Sequence, residues 1–284
     1  MRSKICLWAI LLSLLPIISY AQNENNSQIL ELYVKSGLQK QIDQLPSLMQ
    51  ALFDQSVPEN EEIQKLPKSI ISAMRESLQA AFAPERLKEA LLAELTGKIE
   101  DGDIKKLLEW FNSPTGKKFT QLEEEASTAE AQADMEQYAA HLQDSPPTAQ
   151  RLKVLQEFDL AVKDTEDAVE MAINMQVAVA LGMIATLPSE QQKRPEDVAR
   201  EVEETRAAVE TEVRSQMLVF HLYAYRSMTE AEIQQYTEFA KSPAGSKFNS
   251  VATAALKKAV LQGAVKWGQL IGNEIEKMKG NSEA

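Results

Sequence analysis

One ten-residue segment occurs twice, and its spacing limits the architectures open to the chain. Trp110-Phe111-Asn112-Ser113-Pro114-Thr115-Gly116-Lys117-Lys118-Phe119 returns in weaker form as Phe239-Ala240-Lys241-Ser242-Pro243-Ala244-Gly245-Ser246-Lys247-Phe248. Ser242 follows Ser113 by 129 residues (242 − 113), and Gly245 and Phe248 keep that distance from Gly116 and Phe119. Upstream, Asp101, Asp103 and Ile104 fall on Glu230, Glu232 and Ile233. A segment repeated at a fixed interval predicts one supersecondary unit used twice.

The composition of the segment predicts a corner between a short helix and a long one. Ser113 and Ser242 suit the N-cap, where a hydroxyl accepts from backbone N–H groups of the next turn. Pro114 and Pro243 suit the first helical position, which needs no N–H. Gly116 and Gly245 weaken a helix, so their presence in both copies predicts close backbone packing against the preceding aromatic, Trp110 or Phe239. Before the second corner, Thr229 and Glu232 have the spacing of a capping box. Lys117, Lys118 and Lys247 near these helix starts admit an alternative role in anion binding. The serine already at each cap argues for the structural reading.

The Phe/Trp-x-x-Ser-Pro-x-Gly-x-Lys pattern resembles an exported bacterial family called domain of unknown function 2059. In the first copy it is carried by Trp110, Ser113, Pro114, Gly116 and Lys118, and in the second by Phe239, Ser242, Pro243, Gly245 and Lys247. The likeness is best at Asp101–Phe119 and weaker at Glu230–Phe248, where Ala240 replaces the aromatic found at Phe111. The resemblance implies a short, all-helical, envelope-directed domain. It implies no activity and no catalytic residue.

The N-terminus reads as an export signal. Arg2 and Lys4 precede the apolar run Ile5–Ile18, and Ser19-Tyr20-Ala21 offers small residues for cleavage before Gln22. A secreted, periplasmic protein is expected. Removing residues 1–21 takes away the only cysteine and two of 30 basic residues, leaving 28 against 42 acidic ones. So acidic a chain is repelled by nucleic acid and by anionic lipid, and it has no thiol for disulfide, nucleophile or metal.

Helix formers dominate, glycine and proline number only 10 and 11, and no alternating strand pattern is present. The expected fold is all-α: two tandem helical-bundle repeats of about five helices each. They would occupy 22–145 and 146–279, with Ser145-Pro146-Pro147 as the boundary and 280–284 as a disordered tail. Within the first unit, helices are expected over Ser27–Leu45, Leu48–Val57, Ile63–Phe82, Pro84–Leu95 and from the Ser113 corner to about Leu142. In the second, the charge-free stretch Met171–Ser189 reads as a core helix that packs the units together with the final helix, Pro243 to about Lys277. Glu196–Tyr225 reads as one long helix.

Little in the sequence points to catalysis or metal binding. His141 and His221 lack a ligand partner at helical spacing, and no Ser-His-Asp order or phosphate loop is present. Glu123-Glu124-Glu125 reads as solvated surface. No catalytic residue, metal or cofactor is expected. Methionines adapt to irregular ligands, so Met175, Val179, Met183, Met217 and Phe220 are the expected lining of a groove for an apolar small molecule or a partner's helix in the envelope. The expected function is thus a non-catalytic binding or interaction protein, with no membrane span after signal removal. The alternatives are a hydrolase whose site assembles only in three dimensions, and a self-associating structural protein.

Overall fold

The computed structural model describes residues 26–58 and 61–282; the expected export signal lies outside them. Every regular element among these residues is helical. Residues 26–35 form α1, followed by α2 (Leu38–Ser56), α3 (Glu61–Gln64), α4 (Lys68–Ala81), α5 (Pro84–Leu95), α6 (Asp101–Asn112), α7 (Pro114–Ala126) and α8 (Ala129–Asp144). After Ser145-Pro146-Pro147 come α9 (Ala149–Val162), α10 (Asp164–Ile184), α11 (Pro195–Glu203), α12 (Arg206–Ala224), α13 (Glu230–Lys241) and α14 (Pro243–Ser282).

The all-α class holds, but the helices are more finely divided than about five per unit. Gly37, at φ +80°, breaks the first expected helix before α2, a left-handed conformation that glycine enters without a Cβ penalty. Pro46 then lies inside α2, where it is buried, rather than ending a helix. Pro67 separates α3 from α4, since the residue before a proline is pushed out of helical backbone. The long helix expected after Ser113 stops at Ala126. There Ser127 donates its hydroxyl to the Glu123 carbonyl and Thr128 accepts from Ala131 N–H, so local side-chain bonds compete with the helix. Thr205 acts alike between α11 and α12 by donating to the Val202 carbonyl, so Glu196–Tyr225 is two helices. α14 instead runs past the expected end through Gly280, with no proline to stop it.

The two corners are built alike. Ser113 accepts from Gly116 N–H at 3.0 Å and Ser242 from Gly245 N–H at 3.1 Å. A Cβ on Gly116 would meet the Trp110 carbonyl oxygen at 2.2 Å, and one on Gly245 the Phe239 oxygen at 2.1 Å. Thr229 and Glu232 close the capping box ahead of α13. The corners also face each other. Trp110 stacks on Phe239 with centroids 4.5 Å apart and planes 8° off parallel. Lys118 bonds Glu232 at 2.8 Å, while Lys247 pairs with Asp103 at 3.6 Å and Glu100 at 3.0 Å. These contacts are reciprocal, as across a two-fold interface. They also occupy Lys118 and Lys247, two of the three lysines that an anion would need.

Two hydrophobic cores result, and neither stays on one side of Ser145. The first joins Tyr33, Phe53, Phe82, Leu91, Ile104 and Phe111 to Ala252, Ala255, Ala259 and Ala264 of α14. The second joins Phe119 of α7 and Met135 of α8 to Phe158, Tyr223, Tyr225 and Ile233. Each corner therefore sends its following helix into the core built around the other corner. α10 lies along α14 with the backbones in close approach. A Cβ on Gly182 would sit 2.1 Å from the Val265 oxygen, and one on Gly268 would sit 2.0 Å from the Val179 oxygen. By length and composition α10 is also apolar enough to cross a membrane; here it packs against protein along α14.

Candidate functional site: a cavity between the two cores

Where the cores meet, the chain leaves a cavity of about 370 Å³. Its wall draws on both sides of Ser145: Phe111 from α6, Glu123 from α7, Phe158 from α9, Asp164 from α10, Met217 and Phe220 from α12, Tyr236 from α13, and Phe248 from α14. That size falls within the range of small-molecule sites, and an apolar wall with a few converging polar groups is their usual character.

Glu123 reaches the cavity because of its place on α7. Phe119, Glu123 and Ala126 stand at i, i+4 and i+7, a single helix face, and both apolar members are buried in the second core. The expected solvated run Glu123–Glu125 is therefore divided: Glu125 is exposed and Glu124 pairs with Lys40, while Glu123 points inward. The Tyr225 hydroxyl donates to Glu123 Oε1 at 2.7 Å. Burial raises the Glu123 carboxyl to about 7; the tyrosine bond and His221 oppose the rise, and Asp164 and Glu124 reinforce it. Burial, with the nearby carboxylates, also pushes Tyr225 and Tyr236 well above the ordinary tyrosine range. Both stay hydroxyl donors at neutral pH.

Asp164 opens α10 directly after Lys163, whose φ of +62° turns the chain between α9 and α10. Its Oδ2 lies 2.9 Å from His221 Nε2. A carboxylate can only accept, so that nitrogen carries the hydrogen. His221 is 2% exposed, with Phe158 edge-on at 5.5 Å and Tyr225 stacked at 5.9 Å. The two serines of the wall spend their hydrogens on main-chain carbonyls, Ser36 on Tyr33 and Ser127 on Glu123.

The five residues expected to line one groove are separated. Met217 and Phe220 line the central cavity and also a neighbouring one of about 430 Å³ with Leu48, Leu52 and Met135. Met175 and Val179 instead pack onto the first core. The Met183 backbone lies against α14, its nitrogen 2.9 Å from where a Gly268 Cβ would stand. The glycines of the crossing let α10 approach α14 closely, and Met171 and Met175 pack onto the first core beside it. Sequence reasoning missed Glu123, Asp164 and Tyr236. For Glu123 the i+4 step from Phe119 was a usable signal; Asp164 and Tyr236 carried none that separates them from surface acid and core aromatic. Among the described residues no group of three or more His, Cys, Asp or Glu is placed to hold a metal ion.

One family model matches part of this chain. Residues 85–145 match domain of unknown function 2059. The family is described as an uncharacterized protein conserved in bacteria. The DUF2059 segment runs from α5 through α8, so it contains the first corner and Glu123 and stops before the second corner. No curated protein and no solved structure matches the chain.

Proposed function

We propose that the chain is a non-catalytic binding module of the bacterial envelope that holds a small, largely apolar molecule between its two cores. The observation that carries this reading is the cavity faced by Phe111, Phe158, Phe220, Tyr236 and Phe248, drawn from five helices on both sides of Ser145. The basic, apolar and small-residue regions of residues 1–21 support export. A hydrolytic alternative has the His221–Asp164 bond and the raised Glu123 carboxyl in its favour, but the hydroxyls of Ser36 and Ser127 are turned to main-chain carbonyls rather than to an imidazole.

The test uses N-phenyl-1-naphthylamine, a neutral apolar dye that brightens when it leaves water. The wild-type chain should bind it with a micromolar Kd. Asn249→Trp places an indole in the cavity wall and should weaken binding at least tenfold while leaving the helical circular dichroism intact. Absence of dye binding, or equal binding by the folded variant, would remove the cavity as the site.

A further inference from the structure

We propose that the ligand of the central cavity is an organic cation, an ammonium group carried on an apolar body; this rests on the reading of the cavity as a binding site. Two carboxylates, Glu123 and Asp164, reach the wall, and among the described lining residues none is lysine or arginine. The Glu123 carboxylate, withdrawn from water, is costly unless a positive charge meets it, whereas Asp164, its side chain 43% exposed, keeps part of its hydration. The partners the chain supplies are a tyrosine hydroxyl for Glu123 and a histidine N–H for Asp164. Both meet the carboxylates as hydrogen-bond donors, and neither brings the permanent positive charge of a lysine or arginine.

The rest of the wall suits the same guest. Phe111, Phe158, Phe220, Tyr236 and Phe248 present aromatic rings, whose faces carry negative potential and attract ammonium groups, most strongly out of water. A hard metal ion would need about six oxygen ligands, which an aromatic wall does not supply. An anionic ligand would meet two carboxylates and no cation. The whole chain carries a net charge of −12 at pH 7, which draws cations toward the molecule and repels anions.

The arrangement couples binding to protons. The groups facing Glu123 are His221 from α12, Tyr225 directly after its end, Asp164 from α10, Tyr236 from α13 and Glu124 on its own helix. With the Glu123 carboxyl near 7, an arriving ammonium ion favours the ionised form and expels a proton. Affinity for a permanent cation should therefore rise about tenfold from pH 6 to pH 8, one decade per pH unit below the carboxyl's midpoint and little above it.

The experiment compares two isosteres, benzyltrimethylammonium and (2,2-dimethylpropyl)benzene, as competitors of N-phenyl-1-naphthylamine on the full chain at physiological salt. At pH 8 the cation should displace the dye at a concentration at least tenfold lower than the neutral hydrocarbon. That advantage should shrink at pH 6, and in Glu123→Gln it should fall and lose its pH dependence, with Asp164 and the rings left in the wall. Equal or better displacement by the hydrocarbon in the wild type overturns the inference and leaves the cavity as a binding site. Absence of dye binding in the first place defeats both readings. Because the isostere comparison uses the wild-type chain, it stands whether or not the variant folds.

Discussion

Gly268→Ala should destabilise the protein by about 2–4 kcal/mol, whereas Gly102→Ala should stabilise it by about 0.5 kcal/mol, both measured by urea denaturation. The added atom is the same methyl group. At Gly102, in α6, a Cβ meets nothing within 4 Å, so alanine's better helix propensity and the less flexible unfolded chain dominate. At Gly268 the new carbon would lie 2.0 Å from the Val179 carbonyl oxygen and 2.9 Å from the Met183 nitrogen. These are backbone atoms of a helix and cannot rotate aside, so α10 must move off α14. Gly182 meets Val265 and Gln269 in the same way from the other side, so Gly182→Ala should behave like Gly268→Ala. A close-packed interior resists such a shift, and both helices of this crossing pack onto the first core. If Gly268→Ala were neutral, the close approach of α10 and α14 would be wrong.

The second large effect is a pH dependence of stability centred on Glu123. Its carboxyl is near 7 when folded and near 4.5 when unfolded. The folded state therefore binds the proton more tightly, and the stability this provides is complete below about pH 4.5. It is lost as pH rises through 7, by on the order of 2–3 kcal/mol. Asp167, also raised mainly by burial, adds in the same direction. Glu232 and Glu94 act oppositely and at lower pH. Lys118 holds the first near 2, and Lys258 and Lys98 hold the second there, so their contribution is present above pH 4.5 and falls away in acid. Glu123→Gln keeps an oxygen for the Tyr225 hydroxyl and removes the charge. The variant should match the wild type at pH 4.5 and exceed it at pH 8, and denaturation curves at the two values give the comparison. Identical curves at both would place Glu123 in water.

The local features of this fold were legible because they depend on neighbours in sequence. Ser113 and Ser242 specify their corners by hydrogen bonds within one turn, and Pro114, Pro243 and Pro84 each open a helix where their fixed φ suits the first turn. The breaks at Ser127 and Thr205 were harder to see, because a hydroxyl inside a helical pattern either bonds its own backbone or faces outward without changing the pattern. The exchange of α7 and α14 between the cores left no periodic trace at all. The alanine-rich face of Ala252, Ala255, Ala259 and Ala264 reads the same whichever core it enters. The Trp110–Phe239 stack and the Lys118–Glu232 and Lys247–Asp103 pairs decide that question in space. The site was hidden for the same reason: its wall assembles only once the helices have crossed, which separates Met175 and Val179 from Met217 and Phe220.

The most direct test of the binding account is native mass spectrometry of the chain purified from the periplasm without detergent, alongside Asn249→Trp. The account predicts a mature N-terminus at Gln22 and a retained small molecule, released at mild collision energy and absent from the folded variant. If the cavity selects ammonium ligands, the released species is recovered in positive-ion mode. A wild-type chain that stays bare and binds no apolar dye, cationic or neutral, would contradict the account.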